Sequence, residues 1–249
     1  MTEQEQQAQP FISHLVELRN RLLWALGTVV LLFLCLAPFA GELYEWFAKP
    51  VMANLPQGST MISTEPHGPF FIPFKFAFAV AFALGIPVVL YQLWAFIAPG
   101  LYQNEKSIAL PLVVSSTVLF YLGVLFAYYV VFPIIFKFFS SVAPDGVAVM
   151  PDISAYMSFA LKLFFAFGIA FEVPVATVLL SKMGVVSVDT MAEKRPYIIV
   201  GAFIVGMLMT PPDIFSQVML AVPVWLLFEA GLFFARKLEQ NQSTKKESI

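Results

Sequence analysis

Few side chains in this 249-residue chain can do chemistry, and their spacing narrows what that chemistry is. In the segment F-I-S-H-L-V-E-L-R-N-R (11–21), Glu17 and Arg21 are four residues apart, the spacing at which side chains meet on a helix. They either pair with one another, worth roughly 0.3 kcal/mol, or present charge to a ligand. Glu172 stands alone in an apolar run, where a charged carboxylate costs about 3 kcal/mol on insertion scales. It is expected to face the protein interior or a water-filled groove, either as a neutral packing group or as a functional polar spot. Gln217, and Ala202 with Gly206 and its neighbour Met207, mark either a docking surface for a partner helix or the packing of two spans on each other.

Covalent and metal chemistry are not expected. The chain has no G-x-S-x-G, no H-E-x-x-H and no G-x-x-x-x-G-K-[ST], so no catalytic residue is assigned and ATP hydrolysis by a P-loop is excluded. His14 and His67 fall on opposite sides of the membrane in the topology below and cannot share a metal. Cys35 is the one cysteine, so a disulfide within the chain is impossible. No cofactor is expected. Net charge is -2, with no strongly basic or acidic block, and nothing points to nucleic acid.

The elements that position these residues follow from composition. Hydrophobic residues make up 59% of the chain and charged ones 12%, which excludes a separate polar domain. One all-α membrane domain over 1–249 is expected, with helical spans at about 22–40, 76–98, 108–136, 163–181, 197–210 and 214–235. The last two form a hairpin closed by Pro211, Pro212 and Asp213. The fifth span is short: about 21 Å of helix against a hydrocarbon core of about 30 Å. Residues 1–21 read as an interfacial helix and 237–249 as a flexible tail. The N-terminus is acidic and polar, with no sign of a cleaved leader.

Basic residues set the orientation. Arg19, Arg21, Lys106, Lys182, Lys194, Arg195, Arg236, Lys237, Lys245 and Lys246 lie on one side, against Lys49, Lys75, Lys137 and Lys162 on the other. Both termini are therefore expected in the cytoplasm, and Glu229 near the cytoplasmic end of its span is expected to snorkel outward. The outer segments 41–75 and 137–162 are rich in Pro, Gly and Ser and read as caps with short helices. Pro87, Pro111, Pro133, Pro174 and Pro223 inside the spans each remove a hydrogen bond and either kink the helix or are tolerated. No internal repeat is visible, which counts against an ordinary secondary carrier.

Several motifs in order resemble those of the TatC family, the signal-peptide receptors of the twin-arginine protein translocase. They are H-L-V-E-L-R-N-R (14–21), L-P-Q-G-S-T-M-I (55–62), Y-Q-L-W-A-F-I-A-P-G-L-Y (91–102) with Glu105 after it, F-A-Y-Y-V-V-F-P (126–133), F-G-I-A-F-E-V-P (167–174), K-R-P-Y (194–197) and G-M-L-M-T-P-P-D (206–213). The resemblance implies a six-span, concave bundle in the bacterial cytoplasmic (inner) membrane. It implies no enzyme activity, and an oligomeric complex with the single-span TatA and TatB proteins, driven by the proton motive force. It places recognition of the twin-arginine signal peptide of folded cargo on Glu17 and Glu105, with Arg19, Phe96 and Tyr102 shaping the surface. A carboxylate accepts two parallel N–H bonds from a guanidinium, which a lysine ammonium cannot offer. It also makes Glu172 a contact for a partner helix and matches Pro50 and Asp213 to family positions. Two other classes stay open on residues alone: an ion- or proton-coupled small-molecule transporter using Glu172, and an intramembrane hydrolase, for which Asp213 has no second intramembrane Asp.

Overall fold

The computed structural model describes residues 3–53, 62–97, 109–142, 150, 152–210 and 213–247. Helices account for nearly all of them: α1 (Glu3–Leu36), α2 (Ala40–Ala53), α3 (Gly68–Ile97), α4 (Ala109–Phe126), α5 (Phe132–Val142), α6 (Ile153–Ala170), α7 (Val173–Lys182), α8 (Val188–Glu193), α9 (Arg195–Met209) and α10 (Ile214–Glu247). Among the described residues the only β pairing is an isolated bridge between Ile62 and Asp152. Among the described residues, five stretches are long and apolar enough to cross a membrane: Ser13–Ala48, Gly68–Ile97, Leu110–Phe139, Ile153–Lys182 and Ile214–Gln240. Arg195–Met209 is a shorter apolar helix of 15 residues, about 22 Å long.

The helices outrun the apolar runs that suggested them. α1 passes residue 21 without a break, α3 begins at Gly68 and α6 at Ile153, and α10 continues to Glu247. Polarity does not end a helix; lost backbone partners do. Lys75 and Lys162, which bounded expected spans, are exposed on α3 and α6, where long stems let ammonium groups reach water. True ends carry caps: Asp152 accepts from the Ala155 amide at 2.8 Å before α6, and Asp213 accepts from the Ser216 amide at 2.7 Å at the start of α10.

Two compact units are distinguished, one of residues 1–56 and 63–117, the other of 57–62 and 118–249. In the first, α3 buries a stripe through Phe76, Ala77, Ala81, Gly85, Ile86, Leu90 and Trp94, a helical periodicity that leaves one face for its neighbours. Gly85 lets α1 come close, since a Cβ there would meet Val29 Cγ2 at 3.1 Å. Phe47 of α2 packs on Phe76, ring centroids 4.7 Å apart. The Trp94 indole donates to Ser116 Oγ at 2.9 Å, tying α3 to the first turns of α4 in the buried interior.

The five prolines expected inside spans divide into two groups across the two units. Pro223 lies inside α10, as Pro87 does inside α3 of the first unit, and both helices continue; Pro111 occupies the first turn of α4, where no amide donor is needed. Pro133 and Pro174 do interrupt. Ahead of Pro133, Ala127–Val131 form a π-helical turn, which widens the backbone where the ring would strike the preceding carbonyls. Ahead of Pro174, the helix opens at Phe171 and Glu172 between α6 and α7. Glycines let helices meet here: a Cβ on Gly123 of α4 would lie 2.4 Å from the Phe167 carbonyl oxygen, and one on Gly231 of α10 would lie 2.9 Å from Pro174 Cα. Val188 and Met191 of α8 bury against Phe228, Leu232 and Ala235 of α10.

Gly123→Ala is expected to destabilise by about 1–3 kcal/mol, because the obstacle is backbone and cannot rotate away. Gly27→Ala, with nothing within 4 Å of the added atom, is expected to be neutral or stabilising. Thermal unfolding of the two purified variants in one detergent checks the contrast; equal midpoints would refute it.

Candidate functional site

α1 and α3 run side by side, and their polar residues meet at two levels. At one, the His14 ring stacks on Phe96, centroids 4.3 Å apart and planes 15° from parallel. Two turns along α1, Arg21 donates from Nε at 2.8 Å and Nη2 at 2.6 Å to Glu17 Oε1, and from Nη1 at 3.5 Å to Gln92 Oε1 of α3. The i to i+4 pairing open at the sequence level is therefore formed, and α3 joins it. Beside it lies an open cleft of about 520 Å³ walled by Ser13, Glu17, Asn20, Arg21, Tyr91 and Gln92, with Val16 and Trp24. One carboxylate, one guanidinium, two amides and two hydroxyls suit a polar or cationic ligand rather than an apolar one.

Arg19 is exposed and donates to Asn20 Oδ1 at 3.4 Å. Two residues from Glu17 on a helix it is turned by about 200°, so it shares the segment but not the face. Tyr102 and Glu105 lie outside the described residues. The chain that carries them leaves α3 after Ile97 and enters α4 at Ala109, and the Trp94–Ser116 hydrogen bond fixes the helices on which both ends are anchored.

The intramembrane residues fall in the second unit. Glu172 sits at the helix opening before Pro174, and both of its carboxyl oxygens are buried. Gly206 packs on Gln217, whose Cα would be 3.6 Å from an added Cβ, so these two join α9 to α10; Met207 points outward and is exposed. Asp213 caps α10. Pro50 falls in the last turn of α2.

Sequence reasoning missed two pairs. Gln92 was only a motif letter, and its role as acceptor for Arg21 needs the α1–α3 register. Glu229 does not reach outward alone: Arg195 grips it with Nη2 on Oε2 at 2.8 Å and Nε on Oε1. A signal for this pair was present, since Arg195 and Glu229 lie equally far in sequence from Pro212. Among the described residues no cluster of His, Cys, Asp and Glu could hold a metal ion.

Comparison with known proteins gives concordant matches. The family model described as Sec-independent protein translocase protein (TatC) matches residues 13–223. The TatC proteins of Escherichia coli (strain K12) and Azotobacter chroococcum mcd 1 are each 55% identical to the chain, over 92% and 95% of it and over 88% and 92% of their own lengths. A crystal structure of a twin-arginine translocase receptor, TatC, superposes with a TM-score of 0.81 at 39% identity, covering 90% of this chain and 98% of that one.

Proposed function

The chain belongs to the TatC family, a multi-pass membrane receptor of the Sec-independent protein translocase and not an enzyme, and from that premise we propose that its α1–α3 cleft binds the paired arginines of a twin-arginine signal peptide. What carries this reading is the likeness, over nine-tenths of the chain, to a solved twin-arginine translocase receptor. The cleft adds the chemistry: Glu17 is at its wall, half-exposed, where a carboxylate can accept charge-assisted N–H bonds from a guanidinium. Glu105 supplies the second carboxylate, with Phe96 and Tyr102 shaping the surface and Arg19 beside it. The reaction is recognition and docking, with no bond made or broken in the cargo.

In this reading the chain crosses the bacterial inner membrane six times, counting the short α9, with both termini cytoplasmic. Its partners are the single-span TatA and TatB proteins in an oligomeric, proton-motive-force-driven complex. Glu172, Gln217 and Met207 are contacts for their helices. Nothing in the fold favours the small-molecule transporter.

Glu17→Ala and Glu105→Ala are each expected to weaken binding of a twin-arginine signal peptide roughly 10- to 150-fold, the loss of one charge-assisted pair, about 1.5–3 kcal/mol. A binding titration in which both variants match the parent removes them from the site. Reporter fusions at residues 60 and 245 are expected to read outside and cytoplasmic, respectively; a cytoplasmic signal at residue 60 refutes the span assignment. Glu172→Gln is expected to keep most transport of a folded cargo and Glu172→Ala to lose substantially more, because the amide preserves shape and hydrogen bonding. Equal loss in both would show that the carboxyl must ionise instead.

A further inference from the structure

The Glu17–Arg21 contact has an asymmetry that bears on how the cleft selects arginine. Arg21 places both Nε and Nη2 on the same oxygen, Oε1, at 2.8 and 2.6 Å. A guanidinium that meets a carboxylate fork to fork uses both oxygens, one per nitrogen. Here Oε2 accepts no hydrogen bond among the described residues, and Glu17 lines the cleft. Arg21 is also the more buried partner, its side chain 25% exposed against 39% for Glu17. Its third nitrogen lies 3.5 Å from Gln92 Oε1 of α3, a long contact that adds weakly to the pairing within α1.

We propose that Arg21 is a positioning residue for arginine selectivity: it clamps the Glu17 carboxylate by Oε1 and so fixes the plane in which Oε2 meets the incoming guanidinium. The inference rests on the reading of this cleft as the signal-peptide site. A glutamate has three rotatable side-chain bonds, and in a wet cleft an unheld carboxylate turns freely. A lysine ligand, a compact point charge with three rotatable donors, loses little when the carboxylate turns. An arginine ligand gains its advantage only from directed, coplanar hydrogen bonds, and loses it when the acceptor plane is not fixed. Two guanidinium groups on one carboxylate repel, but the negative charge between them offsets this and the half-exposed cleft keeps the effective dielectric high.

The test compares two synthetic signal peptides, one with the arginine pair and one with both arginines replaced by lysine, titrated against the full-length chain in lipid nanodiscs. Arg21→Gln removes the clamp and its charge; Arg21→Lys keeps the charge and loses the two-nitrogen grip; Gln92→Leu removes the long contact to α3. In both Arg21 variants, affinity for the arginine peptide is expected to fall about fivefold while that for the lysine peptide stays within about twofold, so that discrimination narrows. Gln92→Leu is expected to move the ratio the same way by a smaller factor. Equal losses for both peptides would make Arg21 merely structural and overturn the proposal. So would a rise in arginine-peptide affinity in Arg21→Gln, which would make Arg21 a competitor for Glu17. Glu17→Gln is titrated alongside. If it leaves binding unchanged, the site reading fails and the inference with it; if it weakens binding while the Arg21 variants match the parent, the inference alone fails.

Discussion

In an apolar solvent a peptide group must find its hydrogen-bond partner inside the protein, and that requirement shapes most of this chain. It fixes the spanning segments as helix; past their ends water can satisfy the backbone, so the run of α1 through residue 21 and of α10 to Glu247 is set by the local sequence instead. It also explains why the two disruptive prolines are met by specific devices. Before Pro133 the backbone shifts to a wider π-turn; before Pro174 it opens for one turn, where Phe171 donates back to Phe167 and Ile169. Glu172 is found at the second of these openings. A carboxyl and a set of rearranged backbone carbonyls thus share one place, so the most polar region of this span is concentrated there.

The same requirement sets how much could be read from sequence. Apolar run length gives the spans because every spanning segment must be helical, so the all-helical class and the approximate positions of α3, α4, α6–α7 and α10 were legible. Ends were less so, because Lys75 and Lys162 lie within helices that carry their stems to water. The candidate site was legible in part. Helical spacing brought Glu17 and Arg21 together, but not Gln92, whose part depends on how α3 is registered against α1. The stacking of His14 on Phe96 depends on the same register. Glu229 was assigned a solitary role because its partner lies in the preceding helix, and spacing along one helix says nothing about the next.

The cleft between α1 and α3 is open to solvent, and on the proposed reading this decides where its selectivity arises. Half-exposed ion pairs contribute little free energy, so neither Glu17 nor Arg21 supports the fold to a degree that would forbid exchange. What such a site can offer is direction: a carboxylate oriented by one neighbour and available to another. The apolar contacts that hold the two helices, at Gly85 with Val29 and along the buried stripe of α3, are therefore separate from the polar groups that meet a ligand. On the proposed reading, recognition can be tuned at Glu17, Asn20 and Tyr91 without altering the Gly85–Val29 approach or the buried stripe of α3.

The Arg195–Glu229 pair makes the α9–α10 hairpin a gauge of its own length. Because the two charges lie equally far from Pro212, deleting one residue from either arm rotates its charge by about 100° and draws it about 1.5 Å along the axis, out of reach of its partner. Substitutions along the arms leave the pair facing each other; insertions and deletions do not.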